Sequence, residues 1–270
     1  MVPNSFQFVV ITDLHLDELQ GMEKFINTIE YLQRKKDVAF IQILGDICCA
    51  EGPSHFKRIL EGLGTPFHLT YGNHDAPLLR EYHESFGAPN YSFEYGNCLF
   101  VSVFNAFPAI DDPHAIHGFI DQPTWNWCWD ILHKARSEKE YAKIFLFAHV
   151  PPMKPGSPMG VACRMDEATT DQWYDLCREF AVDAAFYGHM HFNEVFELDD
   201  TWHITTPSLN WNFNTCFGHS PHDWVPVEYN GYRIVTITNE TMTDEIYWCQ
   251  KNFSPIPDLA TTEHEPSPSN

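Results

Sequence analysis

Short apolar runs rich in β-branched and aromatic residues punctuate this chain, and stretches with apolar positions at helical spacing fill the intervals. Residues 6–12 (FQFVVIT), 38–44 (VAFIQIL) and 67–70 (FHLT) read as buried strands. Between the first two, Met22, Phe25, Ile26, Ile29 and Leu32 recur at helical spacing, with Glu23, Lys24, Arg34 and Lys35 left for solvent, which predicts an amphipathic helix. A short helix around 56–60 leads to the third run, and a further helix-like pattern begins at Leu78. Strand, helix, strand, helix, strand in that order predicts parallel pairing with right-handed crossovers.

The pattern then changes. Residues 91–95 and 98–104 flank Gly96-Asn97, a hairpin signal. Residues 125–135 read as a helix, 143–148 (KIFLFA) as a buried strand, 170–180 as a helix and 182–187 as a strand. The remaining strands are expected at 194–198, 202–206, 232–238 and 245–249. A loop begins at Asp111-Asp112-Pro113-His114, and residues 153–165 form either a lid or a connector. The loop 207–231 carries Trp211, Phe213, Phe217, His219, His222 and Trp224, which either wall a pocket or pin the loop to itself. From about residue 252 the chain is polar and proline-rich and reads as a disordered tail. With no internal repeat and no linker, one domain over 1–251 followed by a tail over 252–270 is the expectation.

Composition narrows the partners. An apolar content of 44% with 15% aromatics supports a sizeable core, while 16 Lys and Arg against 37 Asp and Glu leave a net charge of −21. So acidic a chain repels nucleic acid and anionic membrane, both of which are bound mainly through cationic side chains. An anionic substrate then needs a local positive feature, and metal ions are the obvious one. The eight cysteines, Cys48-Cys49 among them, show no framework and no CxxC, which favours reduced thiols in a cytoplasmic protein. No basic segment followed by an apolar stretch marks a secretory signal, and no apolar run reaches the about 18 residues of a membrane span.

Candidate chemistry collects where apolar runs end. Asp13 and His15 follow the first run, and being two apart they point the same way if the chain is extended. Gly45-Asp46 ends the second and Gly72-Asn73-His74-Asp75 the third; His149 follows residues 143–148, and Gly188-His189-Met190-His191 follows 182–187. Any one of these is most simply a polar loop. Together, at the ends of strands in packed sheets, they converge on one edge, where α/β proteins build their sites. Nitrogen and oxygen ligands without thiolate suit a pair of divalent ions such as Mn, Fe, Zn, Co or Ni. A shared carboxylate fits two ions about 3.5–4 Å apart. His55, His83 and His133 are expected on helix surfaces instead.

This order of Asp-x-His, Gly-Asp, Gly-Asn-His-Asp, a later His and Gly-His-x-His resembles the calcineurin-like metallophosphoesterases, from about Phe6 to Trp248. The resemblance implies an α/β fold, a four-layer α/β/β/α sandwich of two mixed sheets flanked by helices. It implies one metal held by Asp13, His15, Asp46 and His191 and another by Asp46, Asn73, His149 and His189, with Asp46 as the bridge. It implies hydrolysis of a small-molecule phosphate ester by a metal-bridging hydroxide, with His74 protonating the leaving group. His74 as a structural residue bonded to Asp13 or Asp46 is the plainer role, and both can hold at once. Gly118-Phe119-Ile120 and Gly231-Tyr232-Arg233 loosely support the compact phosphodiesterases of the family, the class III cyclic-nucleotide phosphodiesterases and the glycerophosphodiesterases.

Departures from the pattern also inform. Ile47-Cys48-Cys49 stands where Ser/Thr protein phosphatases carry a second aspartate and an arginine, and Asp75 stands for their Glu. Both argue against a protein phosphatase. Ala148 replaces the usual Gly or His before the fourth-motif histidine, which leaves ligation intact. A phosphomonoesterase, a nucleotide pyrophosphatase and a non-catalytic scaffold like the retromer subunit of this fold are the competing readings. A scaffold would have lost ligands or the acid histidine, and here all are present.

Overall fold

The computed structural model describes residues 5–18, 20–35, 37–107, 118–157, 163–210, 230–238 and 240–249, and the backbone of 261–264. The first half runs β1 (Ser5–Ile11), α1 (Gly21–Leu32), β2 (Val38–Leu44), α2 (Pro53–Leu63) and β3 (Phe67–Thr70), then a 3-10 turn at Ala76–Leu78 and α3 (Leu79–Phe86). The second runs β4 (Tyr91–Tyr95), β5 (Cys98–Ser102), α4 (Gln122–Glu138), β6 (Lys143–Phe147), α5 (Glu167–Glu179) and β7 (Ala184–Tyr187). It closes with β8 (Glu194–Leu198), β9 (Thr201–Thr205), β10 (Asn230–Thr238), β11 (Met242–Cys249) and β12 (Thr261–His264).

Local chemistry sets several of these ends. Asp121 and Asp166 cap α4 and α5, each accepting from the backbone N–H three residues on, Thr124 at 2.9 Å and Thr169 at 2.7 Å. Pro53 opens α2 and Gly64 closes it in the left-handed region, φ 69°. Gly96 and Asn97 both hold positive φ, 58° and 63°, as a two-residue hairpin turn requires.

One sheet has the order β12-β11-β10-β1-β2-β3, the other β4-β5-β6-β7-β9-β8. β1, β2 and β3 are parallel, as are β5, β6, β7 and β9, while β10, β11, β12, β4 and β8 pair antiparallel. Alternation within each strand makes the layers. Phe6, Phe8, Val10, Phe40 and Leu44 face Phe100, Phe145, Phe147 and Phe186 across the seam between the sheets. Val9, Ile11, Ile41 and Ile43 turn the other way, onto Phe25, Ile29, Phe56 and Leu60 of α1 and α2. Val101, Ile144, Leu146 and Tyr187 turn outward onto Trp125, Leu132, Trp173 and Leu176 of α4 and α5. The fold is thus two mixed sheets flanked by helices, the four-layer sandwich expected.

One expectation gives way. Residues 261–264, inside the segment read as a disordered tail, pair antiparallel with β11 from Thr261↔Glu245 to His264↔Met242. Two adjacent threonines have good strand propensity, and the β11 edge offers unpaired backbone groups to whatever segment reaches it. The loop beginning at Asp111 and the aromatic and histidine residues of the 207–231 loop lie outside the described residues. No described helix is long and apolar enough to cross a membrane.

Candidate metal centre

Parallel pairing of β1, β2 and β3 sets their carboxyl ends side by side, and parallel β6 and β7 do the same in the facing sheet. The β1 and β2 ladder continues past the strands, with the N–H groups of Asp13, His15 and Leu16 donating to the carbonyls of Gly45, Asp46 and Ile47 at 3.1, 2.9 and 2.9 Å. Across the seam, the His189 N–H donates to Asp13 Oδ2 at 2.9 Å, and the His149 Nδ1 meets the Leu44 carbonyl at 2.5 Å. The structure therefore brings Asp13, His15, Asp46, Asn73, His74, His149, His189 and His191 to one place.

The means of convergence differs from the expectation of an extended chain. Asp13, His15, Asp46, His189 and His191 all have positive φ, between 42° and 67°, which costs a residue with a Cβ. Tight left-handed turns, not strand alternation, aim these side chains. Glycine makes room for them: a Cβ on Gly72 would stand 2.1 Å from Asp46 Oδ1, and one on Gly188 would stand 1.9 Å from Thr12 Oγ1.

Two groups form. In the first, His191 Nε2 lies 3.1 Å from Asp13 Oδ1 and 3.3 Å from His15 Nε2, and Asp46 completes a set whose ligand atoms all lie within 4.8 Å. In the second, His149 Nε2 lies 3.2 Å from Asp46 Oδ2 and 3.1 Å from Asn73 Oδ1, and His189 joins them. Asp46 belongs to both. All but Asn73 are buried, and among the described residues the Nε2 of His189 has no hydrogen-bond partner. The Leu44 carbonyl holds the Nδ1 proton of His149, so its Nε2 lone pair faces two oxygens. Such atoms repel one another unless a proton or a metal ion lies between them. The donor set therefore fits a pair of divalent ions.

The electrostatics agree. Burial works against charge on Asp13, yet the neighbouring His191 holds its carboxyl down to about 2. Burial opposes charge on Asp46 too, and the His149 ring still draws its pKa far below the carboxylate range. His149 answers in the opposite sense: burial pulls it down, but the Asp46 carboxylate outweighs burial and lifts it to about 9. The pair demands positive charge. His189, pushed down to about 3 by burial and by His149, stays a neutral donor.

His74 stands apart. Its side chain is 54% exposed, its Nε2 is 4.0 Å from Asp46 Oδ2, and its backbone N–H donates to Asp46 Oδ1 at 2.9 Å. It sits at the mouth, outside both clusters. Of the histidines expected on helix surfaces, His83 and His133 are exposed and His55 is half-buried, 3.2 Å from Arg58.

Three residues to which sequence reasoning gave no structural role hold the loops. Asp75, buried, accepts from the N–H groups of Ile47 at 3.0 Å and Gly72 at 2.9 Å, tying the β2 loop to the β3 loop. Burial and the Asp46 carboxylate push it up to about 6. Asn105 accepts from the His149 and Val150 N–H groups at 3.2 and 3.1 Å and donates to the Val150 carbonyl at 2.7 Å. Asn210 donates to the His15 carbonyl at 3.0 Å, and Lys24 on α1 donates to Asn210 Oδ1 at 2.9 Å. A lone Asn in a loop carries no signal of this; only Asp75, adjoining His74, was open to suspicion.

The family model for the calcineurin-like phosphoesterases matches residues 6–193. The chain belongs to the calcineurin-like phosphoesterase family. Among solved structures, it is similar to GAP50, the anchor in the inner membrane complex of Plasmodium. That match has 15% identity, covers 96% of this chain and 88% of that one, and has a TM-score of 0.68. It is similar to a purple acid phosphatase from yellow lupin (Lupinus luteus) seeds at 12% identity, covering 92% of this chain and 52% of that one, TM-score 0.66. A putative 5'-nucleotidase from Staphylococcus aureus matches at 13% identity over 86% and 51% of the two chains, TM-score 0.54. The chain thus spans about half the length of the latter two. At these identities the likeness bears on the fold alone. Comparison with curated proteins finds no match to this sequence. Family membership and the clustered ligands support a metal-dependent phosphoric ester hydrolase with a binuclear divalent site.

Proposed function

We propose that this calcineurin-like phosphoesterase hydrolyses a small-molecule phosphodiester, with His74 as general acid. Asp13, His15, Asp46 and His191 would hold one divalent ion, and Asp46, Asn73, His149 and His189 the other. When bound, two such ions supply Lewis acidity and a water of lowered pKa, the chemistry of two-metal hydrolysis. The chain's own residues do the rest. Asp46 spans both positions and, through the His74 N–H, sets the acid beside them. The single observation that carries the reading is His74 itself: half-exposed, outside both ligand clusters, and 4.0 Å from Asp46 Oδ2. From there its imidazolium can place a proton on the alkoxide oxygen as the P–O bond breaks.

Preference for a diester rests on charge. A monoester dianion is best held by cationic side chains added to the ions, and residues 47–54 (ICCAEGPS) contain none. The first cations of α2 are engaged elsewhere, Lys57 with the Ser85 carbonyl at 2.7 Å and Arg58 with His55. Buried Arg164 pairs with Glu194 at 2.9 Å. A diester monoanion needs less compensation. The same acidity, −21 overall, supports a partner that is neither nucleic acid nor membrane, and a cytoplasmic setting fits the unpaired thiols of Cys48, Cys49, Cys98, Cys128, Cys177 and Cys249. Cyclic-nucleotide or glycerol-linked diesters are the substrate class this reading favours.

Comparing kcat/KM for bis-nitrophenyl phosphate and nitrophenyl phosphate at one pH and one metal loading tests it. The diester should be the better substrate. A monoester preferred by about tenfold or more would put a phosphomonoesterase in its place.

A further inference from the structure

His15 has two faces. Its Nε2 looks toward His191 and the first ligand cluster, at 3.3 Å, while its Nδ1 looks the other way, toward Cys48 Sγ at 3.6 Å and Glu18 Oε1 at 3.8 Å. One ligand atom from each of His15, Cys48 and His74 lies within 4.8 Å of the others. Cys48 is half-buried and holds a positive φ of 51°, fixed there as its carbonyl accepts from the Asp17 N–H at 2.9 Å. A cysteine held at that cost with its sulfur against a histidine invites a reason. Bonds of about 2.0–2.3 Å to a tetrahedral ion put its ligands about 3.3–3.8 Å apart. The Cys48 to His15 separation already falls in that range.

We propose that His15 Nδ1, Cys48 Sγ and His74 form a third cation site, selective for a thiophilic divalent ion such as zinc or cadmium, that shuts the enzyme down. Selectivity comes from the sulfur: the two clusters that Asp46 joins offer only nitrogen and oxygen, and among the described residues Cys48 is the one thiol grouped with their ligands. On binding, the thiol proton and the Nδ1 proton leave to solvent, and His15 bridges the new ion and its neighbour. The side chain of His74, 54% exposed, has room to swing onto the ion. The inhibitory part rests on the general-acid reading, since a metal-bound His74 has no proton to give.

The test uses full-length protein loaded with manganese and titrated with cadmium. Thiolate-to-cadmium charge-transfer absorption should rise to one equivalent, elemental analysis should show one ion more than the manganese form held, and hydrolysis of an alkyl diester should fall. Cys48→Ser should abolish the absorption and the extra ion, and His74→Ala should weaken the site by about tenfold or more. X-ray absorption at the cadmium edge of the unaltered protein, which needs no variant to fold, should show one sulfur scatterer. No sulfur scatterer, or the same absorption in Cys48→Ser, would overturn the site and leave an ordinary N–H···S contact. A bound third ion with alkyl-diester hydrolysis undiminished would uphold the site and remove the acid role of His74 instead.

Discussion

At the scale of single residues, His74 and Asp75 separate chemistry from support. His74→Ala should keep its metals and lose roughly 10²–10⁴-fold in rate on alkyl diesters, the range of general acid catalysis. The loss should shrink for nitrophenyl esters, whose leaving group departs without a proton. An equal loss for both would make His74 structural. Asp75→Ala should act differently, because it leaves the Ile47 and Gly72 N–H groups without their acceptor. Each orphaned buried donor costs about 1–3 kcal/mol, so thermal stability and metal affinity should fall together, whatever the leaving group. The motif residues were legible because each followed an apolar run. The roles of Asp75, Asn105 and Asn210 were not, since each joins segments far apart in the chain, as Asn210 does with His15.

Elements were legible wherever periodicity was clear, and β2, β3, β4 and β8 fall on the expected residues. The aim of the side chains at the strand ends was not. Asp13 and His15 meet because each turns left-handed, a backbone property that residue spacing does not carry. The glycines of those turns are accordingly intolerant: Gly72→Ala should fold yet bind metal poorly, as its Cβ would push on Asp46 Oδ1 from 2.1 Å. In β9, the Nδ1 of buried His203 pairs with the Tyr187 hydroxyl at 2.9 Å, and its ring lies parallel to the Tyr187 ring. Burial pushes its pKa down to about 3 from 6.5, so the unfolded chain binds the extra proton. Its contribution to stability is therefore complete above about pH 6.5 and is lost as pH falls toward 3. The denaturation midpoint should drop over that window, and less steeply in His203→Phe; an unchanged slope would mean His203 is not held neutral. His68, pushed down to about 4 by burial, adds to the same slope.

For the whole molecule, the α/β class and the parallel β1, β2 and β3 followed from element order, whereas the insertion of β10 beside β1 did not. The Ser5↔Thr238 pairing joins residues far apart in the chain, and no local pattern announces it. The same long reach gives the centre its form, because two sheets must pack before Asp46 of one can meet His149 of the other, at 3.2 Å. Phe8, in contact with Phe40, Phe100, Phe145, Phe147 and Phe186, is at the heart of that packing. Truncation to Ala there should cost about 3–5 kcal/mol. The central claim is that this packing builds one centre for two ions around Asp46. Elemental analysis of manganese-reconstituted protein tests it most directly, alongside Asp46→Ala and His15→Ala. About two ions per chain are expected, both lost in Asp46→Ala and mainly one weakened in His15→Ala. A content near one ion per chain in fully active protein, or two ions retained by Asp46→Ala, would contradict it.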